Sequence, residues 1–169
     1  MKKENDSLYD EKVQKIPDKL ISEEAIAYDF YVGCVVAACP CKSKEFSEMF
    51  FEIAVDERDD HMKKLIDWAI ANDYSVPFKY KDIEKHAGKK SVKQLNELKE
   101  GLEAKEYVIE AIKSEQFAIE SYEEALKEKN IPYDLHCILL QNLYDEREHL
   151  EELTTKSYAF DANADLVSY

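Results

Sequence analysis

Apolar residues recur at helical spacing along four long stretches of the chain. Leu20, Ile21, Ile26, Ala27, Phe30, Tyr31, Cys34 and Val35 form one stripe and predict a helix over residues 17–38. Pro17 and Asp18 suit its first turn, and Pro40 ends it. Phe46, Met49, Phe50, Ile53, Ala54, Leu65, Trp68 and Ala69 predict a second helix over residues 43–71, with Ser43 as its N-cap. Leu102, Val108, Ala111, Ile112, Ile119 and Leu126 predict a third over 102–129, broken by Asn130 and Pro132, and a fourth follows over 133–157. Residues 73–101 carry Pro77, Gly88, Gly101 and one short amphipathic piece around Val92, Leu95 and Leu98; such a length between helices reads as a crossover. Two hairpins joined in this way predict an all-α four-helix bundle with one long connection between the second and third helices. Residues 1–16 read as a flexible arm, 17–157 as the bundle domain, and 158–169 as a tail too short for a further full helix.

Composition narrows the picture. With 3 Gly and 4 Pro in 169 residues there is little material for a turn-rich β fold. A net charge of −14 argues against sequence-independent nucleic-acid binding, which needs a cationic surface, and suits attraction of metal cations. The longest apolar stretch, residues 30–40, is shorter than the roughly 20 residues that span a bilayer, so no membrane partner is expected. No basic segment followed by an apolar run opens the chain, and its four cysteines read as reduced thiols of a cytoplasmic protein.

The chemistry gathers around Glu146-Arg147-Glu148-His149. Positions i and i+3 share a helix face, so Glu146 and His149 can address one ion such as Fe(II), Mn(II) or Zn(II). One such pair is common on solvated helices; repetition singles this one out. Glu24 precedes Tyr31, and Glu115 precedes Tyr122, by two helical turns, which puts each pair on one face. Glu24 and Glu57 both lie roughly 21–23 Å from the turn that joins their helices, and Glu115 and Glu146 repeat that height in the second hairpin. Four glutamates can therefore meet near mid-bundle. Buried together they would cost several kcal/mol each, as an order of magnitude, unless protonated or paired with cations; two divalent ions neutralise them. The halves also resemble a duplication, with Glu24 and Glu115 separated by 91 positions and His61 and His149 by 88.

The second helix departs from the pattern. Glu57 and His61 are i and i+4, as though one residue were inserted, and a helix can absorb an insertion as a π-bulge. Asp60, at i+3 from Glu57, is a rival ligand.

The motifs Glu24-Ala-Ile-Ala-Tyr-Asp-Phe-Tyr31, Glu115-Gln-Phe-Ala-Ile-Glu-Ser-Tyr122 and Asp145-Glu-Arg-Glu-His-Leu150 resemble those of the ferritin-like superfamily, with the nearest look to bacterioferritin-related and Dps-like miniferritins. The resemblance covers residues 18–157. It implies a di-iron centre, with Mn or Zn as alternatives, in which Glu24 and Glu115 are terminal ligands, Glu57 and Glu146 bridge, and His61 and His149 each bind one ion. Tyr31 and Tyr122 would orient carboxylates or donate electrons. It further implies a ferroxidase that oxidises Fe(II) with O2 or H2O2, iron storage or peroxide protection, and a homo-oligomer such as a dodecameric shell. A rubrerythrin-like peroxidase, a di-iron oxidase and a metal-free interaction bundle are the competing readings. Cys39 and Cys41 read as turn thiols and Cys34 as core. A cysteine pair found on the last two helices of some relatives is not expected here, because Phe117 occupies the partner region of Cys137. His86 and His136 read as packing or solvent residues.

Overall fold

The computed structural model describes residues 11–38, 44–77 and 79–166. Helix α1 spans Glu11–Ala38. The second rod is α-helical over α2 (Lys44–Asp56), turns π-helical over Glu57–Met62, and resumes as α3 (Lys63–Ala71). Two short helices, α4 (Tyr80–His86) and α5 (Lys89–Glu97), occupy the crossover. Helix α6 (Ala104–Ala125) and helix α7 (Tyr133–Leu166) form the second hairpin. The all-α bundle with one long connection is thus observed, and the inserted residue of the second rod is taken up as a π-turn. Ser43, Cys39, Pro40 and Cys41 lie outside the described residues.

Several helix limits differ from the sequence expectation, among them α6, which ends at Ala125 where a helix to residue 129 was expected. Helix α1 begins at Glu11, inside the segment read as an arm, so Pro17 sits within it. An interior proline costs about 3 kcal/mol. Val13, one turn earlier, and Ile16, directly before the proline, are buried, and burying each contributes about 1.5–3 kcal/mol, enough to offset the break. Helix α7 continues through residues 158–166, where no glycine or proline stops it. The crossover holds two helices where one amphipathic piece was expected.

The crossover packs along α1, and α5 also touches α6. Close approach explains Gly33: a Cβ there would stand 2.8 Å from Leu98 Cδ2. Gly88, at the start of α5, donates its N–H to the buried Glu23 carboxylate at 3.0 Å, leaving no room for a side chain. One side of the bundle is therefore closed by the crossover.

The interior is layered. Phe30, Tyr31, Cys34, Phe50, Ile53, Tyr107, Val108 and Leu153 belong to one apolar cluster. Leu20, Ile21, Leu65, Trp68, Leu135 and Leu139 belong to a second. Glu24, Glu57, His61, Glu115 and Glu146 are as buried as either cluster, each no more than 2% exposed. Dozens of buried apolar side chains, at about 1.5–3 kcal/mol each, offset the desolvation of this polar layer. No helix among the described residues is long and apolar enough to cross a membrane.

Candidate metal centre

Each rod delivers part of the polar layer. Glu24 comes from α1, Glu57 and His61 from the π-turn, Glu115 from α6, and Glu146 and His149 from α7. Their ligand atoms fall into two overlapping quartets, Glu24/Glu57/His61/Glu146 and Glu57/Glu115/Glu146/His149, each with its atoms within 4.8 Å of one another. All six residues singled out from the sequence as ligands are thus brought together. Glu57 and Glu146 belong to both quartets.

The π-turn explains how the first half reaches the same place as the second with different spacing. A π-helix widens the turn by one residue, so Glu57 and His61 both face inward while Asp60 is pushed outward. Asp60 is half-exposed and pairs with Lys64 at 2.5 Å; Glu57, 1% exposed, is the acid inside the buried quartets.

His61 Nδ1 lies 3.2 Å from Glu146 Oε1, 3.4 Å from Glu57 Oε2 and 3.7 Å from Glu24 Oε2. His149 Nδ1 lies 3.6 Å from Glu115 Oε2 and 4.0 Å from Glu57 Oε1. The outer nitrogens face acids of opposite halves: His61 Nε2 meets Asp145 at 3.6 Å and His149 Nε2 meets Asp56 at 3.5 Å. The ring centroids stand 5.8 Å apart.

The two tyrosines cross over. Tyr31 of α1 donates its hydroxyl to Glu115 Oε1 of α6, and Tyr122 of α6 donates to Glu24 Oε1 of α1. Each glutamate keeps Oε2 for the interior. Asn142, fully buried on α7, donates to the Tyr122 hydroxyl at 2.9 Å and reaches the His61 carbonyl at 3.4 Å. Asn142, Asp56 and Asp145 were not singled out in the sequence. The signals were present: an Asp-Glu pair recurs at 56–57 and 145–146, and Asn142, Glu146 and His149 form one stripe at spacings of four and three.

Without cations these groups must share protons. Burial, then the neighbouring Glu146 and Glu24, pushes Glu57 well above the ordinary carboxylic range. Burial, then Glu115 and Glu24, does the same to Glu146. For Glu24, burial also pushes upward, but the close approach of Glu57 and of the His61 ring, with the Tyr122 hydroxyl, outweighs it and leaves the carboxyl below its usual value. Burial opposes charge on His61, yet Glu146, Glu24 and Glu57 around it hold the imidazole above its ordinary value. His149 is raised too, with Glu115 outweighing burial. Burial and the facing carboxylates push both tyrosines upward, which keeps them hydrogen-bond donors.

The donor set fits metal ions on an independent count. Glu24 Oε2, both oxygens of Glu57 and of Glu146, Glu115 Oε2, His61 Nδ1 and His149 Nδ1 are buried without a hydrogen-bond partner. Leaving one buried polar atom unpaired costs roughly 1–3 kcal/mol, and eight facing one another is the pattern a cation pair would satisfy. Carboxylate oxygen with imidazole nitrogen suits Fe, Mn or Zn.

The remaining candidates stand apart from these quartets. Cys34 is buried in the apolar cluster, and burial, helped by Glu110, pushes its thiol up to about 12. Cys137 is an exposed free thiol on α7, while Phe117 on α6 lies under the Lys90 ammonium at 5.3 Å. His86 and His136 are half-buried.

No protein-family model and no curated protein matches the sequence. The fold matches solved structures. One is a dodecameric thioferritin, the bacterioferritin-related protein from Bacteroides fragilis, at 22% identity and TM-score 0.75, covering 94% of this chain and 90% of that one. Another is the M. penetrans ferritin, at 17% identity and TM-score 0.74, covering 90% and 87%. On this likeness the chain has a ferritin-like fold.

Proposed function

We propose that this chain binds two Fe(II) ions in the buried centre and oxidises them, acting as a ferroxidase in iron storage or peroxide detoxification. The observation that carries this reading is the pair of quartets sharing Glu57 and Glu146, with eight inward ligand atoms unpartnered. Glu24, Glu57, His61 and Glu146 would hold one ion, and Glu57, Glu115, Glu146 and His149 the other. A pair of ferrous ions supplies two electrons, enough to reduce O2 to H2O2 with two protons taken up, or H2O2 to water.

The chain's own residues prepare that chemistry. Tyr31 and Tyr122 pin the outer oxygens of Glu115 and Glu24, so each carboxylate presents one oxygen inward without rearranging. Asp145 and Asp56 face the outer histidine nitrogens, which favours the tautomer whose Nδ1 lone pair points to the ions. The anionic, hard donor set stabilises the ferric over the ferrous state. The apolar clusters close the layer off along the bundle axis.

Assembly into a closed shell is part of the proposal. Exposed apolar side chains for contacts between copies include Val36, Phe51, Ile70, Tyr133, Leu140 and Tyr144. Aerobic titration with Fe(II) tests the centre: ferric absorbance that saturates near about two irons per chain supports it, and no uptake of any transition metal overturns it. Mass by size-exclusion with light scattering tests the shell, and a monomer or dimer rejects it.

A further inference from the structure

The crossover closes the α1/α6 side of the centre, but the side between the π-turn and α7 opens outward. There Asp56, Asp60, Asp145 and Glu148 surround a cavity of about 320 Å³, with His61 and His149 among its lining residues. Four carboxylates against one ammonium, Lys64, make the cavity strongly attractive to cations.

Within it, Asp60, Asp145 and His61 offer three ligand atoms within 4.8 Å of one another, a third group separate from the two buried quartets in its acids. His61 is 1% exposed, yet its Nε2 is turned toward this cavity, facing Asp145 Oδ2 at 3.6 Å, longer than a good hydrogen bond. The Lys64 ammonium already occupies the cationic position, 2.5 Å from Asp60 Oδ2 and 4.0 Å from Asp145 Oδ2. Asp60 is the acid that the π-turn displaced from the interior, so the irregularity that preserves the inner half-site also builds the outer group.

We propose that Asp60, Asp145 and His61 Nε2 form an outer capture site for a divalent transition-metal cation, with Lys64 as a tethered ammonium that the cation displaces. Two oxygens and an imidazole nitrogen suit such an ion, and a double charge outcompetes a single one for the same carboxylates. A neutral imidazole has one lone pair, so His61 serves either the outer ion or the inner one. Capture therefore precedes loading of the inner centre. Only this last step rests on the reading of the buried centre as a metal site.

Co(II), added without oxygen and followed by its visible absorbance, tests the two parts separately. In an E57Q/E146Q chain, which lacks both shared carboxylates, the Co(II) binding that responds to residues 60 and 64, neither of them an inner ligand, reports the outer site. Adding K64M is expected to tighten that binding several-fold, and adding D60N to abolish it. If neither substitution changes Co(II) binding, the capture site is overturned whatever the inner centre does. In the otherwise unaltered chain, K64M should speed and D60N should slow inner loading, with the final Co(II) count unchanged; equal rates in all three chains overturn the route. Failure of the unaltered chain to bind more Co(II) than E57Q/E146Q would reject the buried centre while leaving the outer site to be judged by the first test.

Discussion

The two hairpins deliver matching candidate ligands by different means. In α7, Glu146 and His149 are one regular turn apart, and the helix runs unbroken past them. In the second rod, Glu57 and His61 are one residue further apart, and only the π-turn brings both inward. The partners are equivalent on both sides: a tyrosine from the opposite hairpin pins each terminal glutamate, and an aspartate from the opposite half backs each histidine. The match is not complete. Tyr122 is braced by Asn142, whereas Tyr31 has the Ala111 carbonyl at 3.5 Å as its second neighbour. Spacing along a helix is thus negotiable where the surroundings demand a direction, and the cost falls on the residue that must leave the interior, here Asp60.

The sharpest test of equivalence is to neutralise each shared carboxylate. Glu57→Gln and Glu146→Gln should each weaken Zn(II) or Fe(II) affinity by more than about 100-fold, measured by competition with a chelator, since ligand loss exceeds the 10–100-fold typical of supporting groups. Each should raise the melting temperature of the metal-free chain, because a buried carboxyl is removed. If Glu57→Gln leaves affinity intact, the π-turn half does not bind.

Next in size are the supporting hydroxyls. Tyr122→Phe should lower metal affinity or Fe(II) oxidation rate about tenfold or more, and Tyr31→Phe by less, because only the former also strands Asn142. Equal effects would show that Asn142 contributes nothing to the difference.

The pH response follows. Glu57, Glu146, His61 and His149 have folded-state pKa values raised above their unfolded ones. Their contribution to stability is full below the unfolded pKa and is lost as pH rises toward the folded value; Glu24, lowered, opposes this more weakly in number. The metal-free chain should therefore melt at lower temperature as pH rises from about 5 to about 8, while metal affinity rises because ions displace those protons. Thermal melts with and without Zn(II) across that range check both directions, and a metal-free melting point that climbs with pH contradicts the raised values.

The smallest effect concerns the insertion itself. Deleting Asp60 should convert the π-turn to regular helix and restore the spacing of α7. Two ions should still bind, and stability of the metal-free chain should change by about 1 kcal/mol, the net value of a backbone hydrogen bond. Loss of half the bound metal would show that the π-turn does more than accommodate one extra residue.

Much of this was readable before any coordinates. Periodicity located the four rods, and heights counted from the turns brought Glu24, Glu57, Glu115 and Glu146 to one level. The i,i+4 spacing of Glu57 and His61 pointed to a π-bulge. The approach of Leu98 to Gly33 was not legible, because it depends on how the crossover lies on α1. Helix limits were less legible at Pro17, because local propensity places a proline in a first turn while the burial of Val13 and Ile16, a long-range effect, extends the helix before it. Asp60 and Glu57 were left as rivals because a sequence does not state which way a widened turn rotates its side chains.

The linear chain, by itself, determined which groups could gather: acids and imidazoles at repeated spacing on apolar rods can share one level inside a bundle, since helical geometry sets both their face and their height. Tertiary structure alone decided the pairings. That Tyr31 holds Glu115 and Tyr122 holds Glu24, that Asp145 backs His61, and that Lys64 rests on Asp60 at an open mouth all depend on contacts between separate rods, and local periodicity carries no information about a neighbour's position across the core.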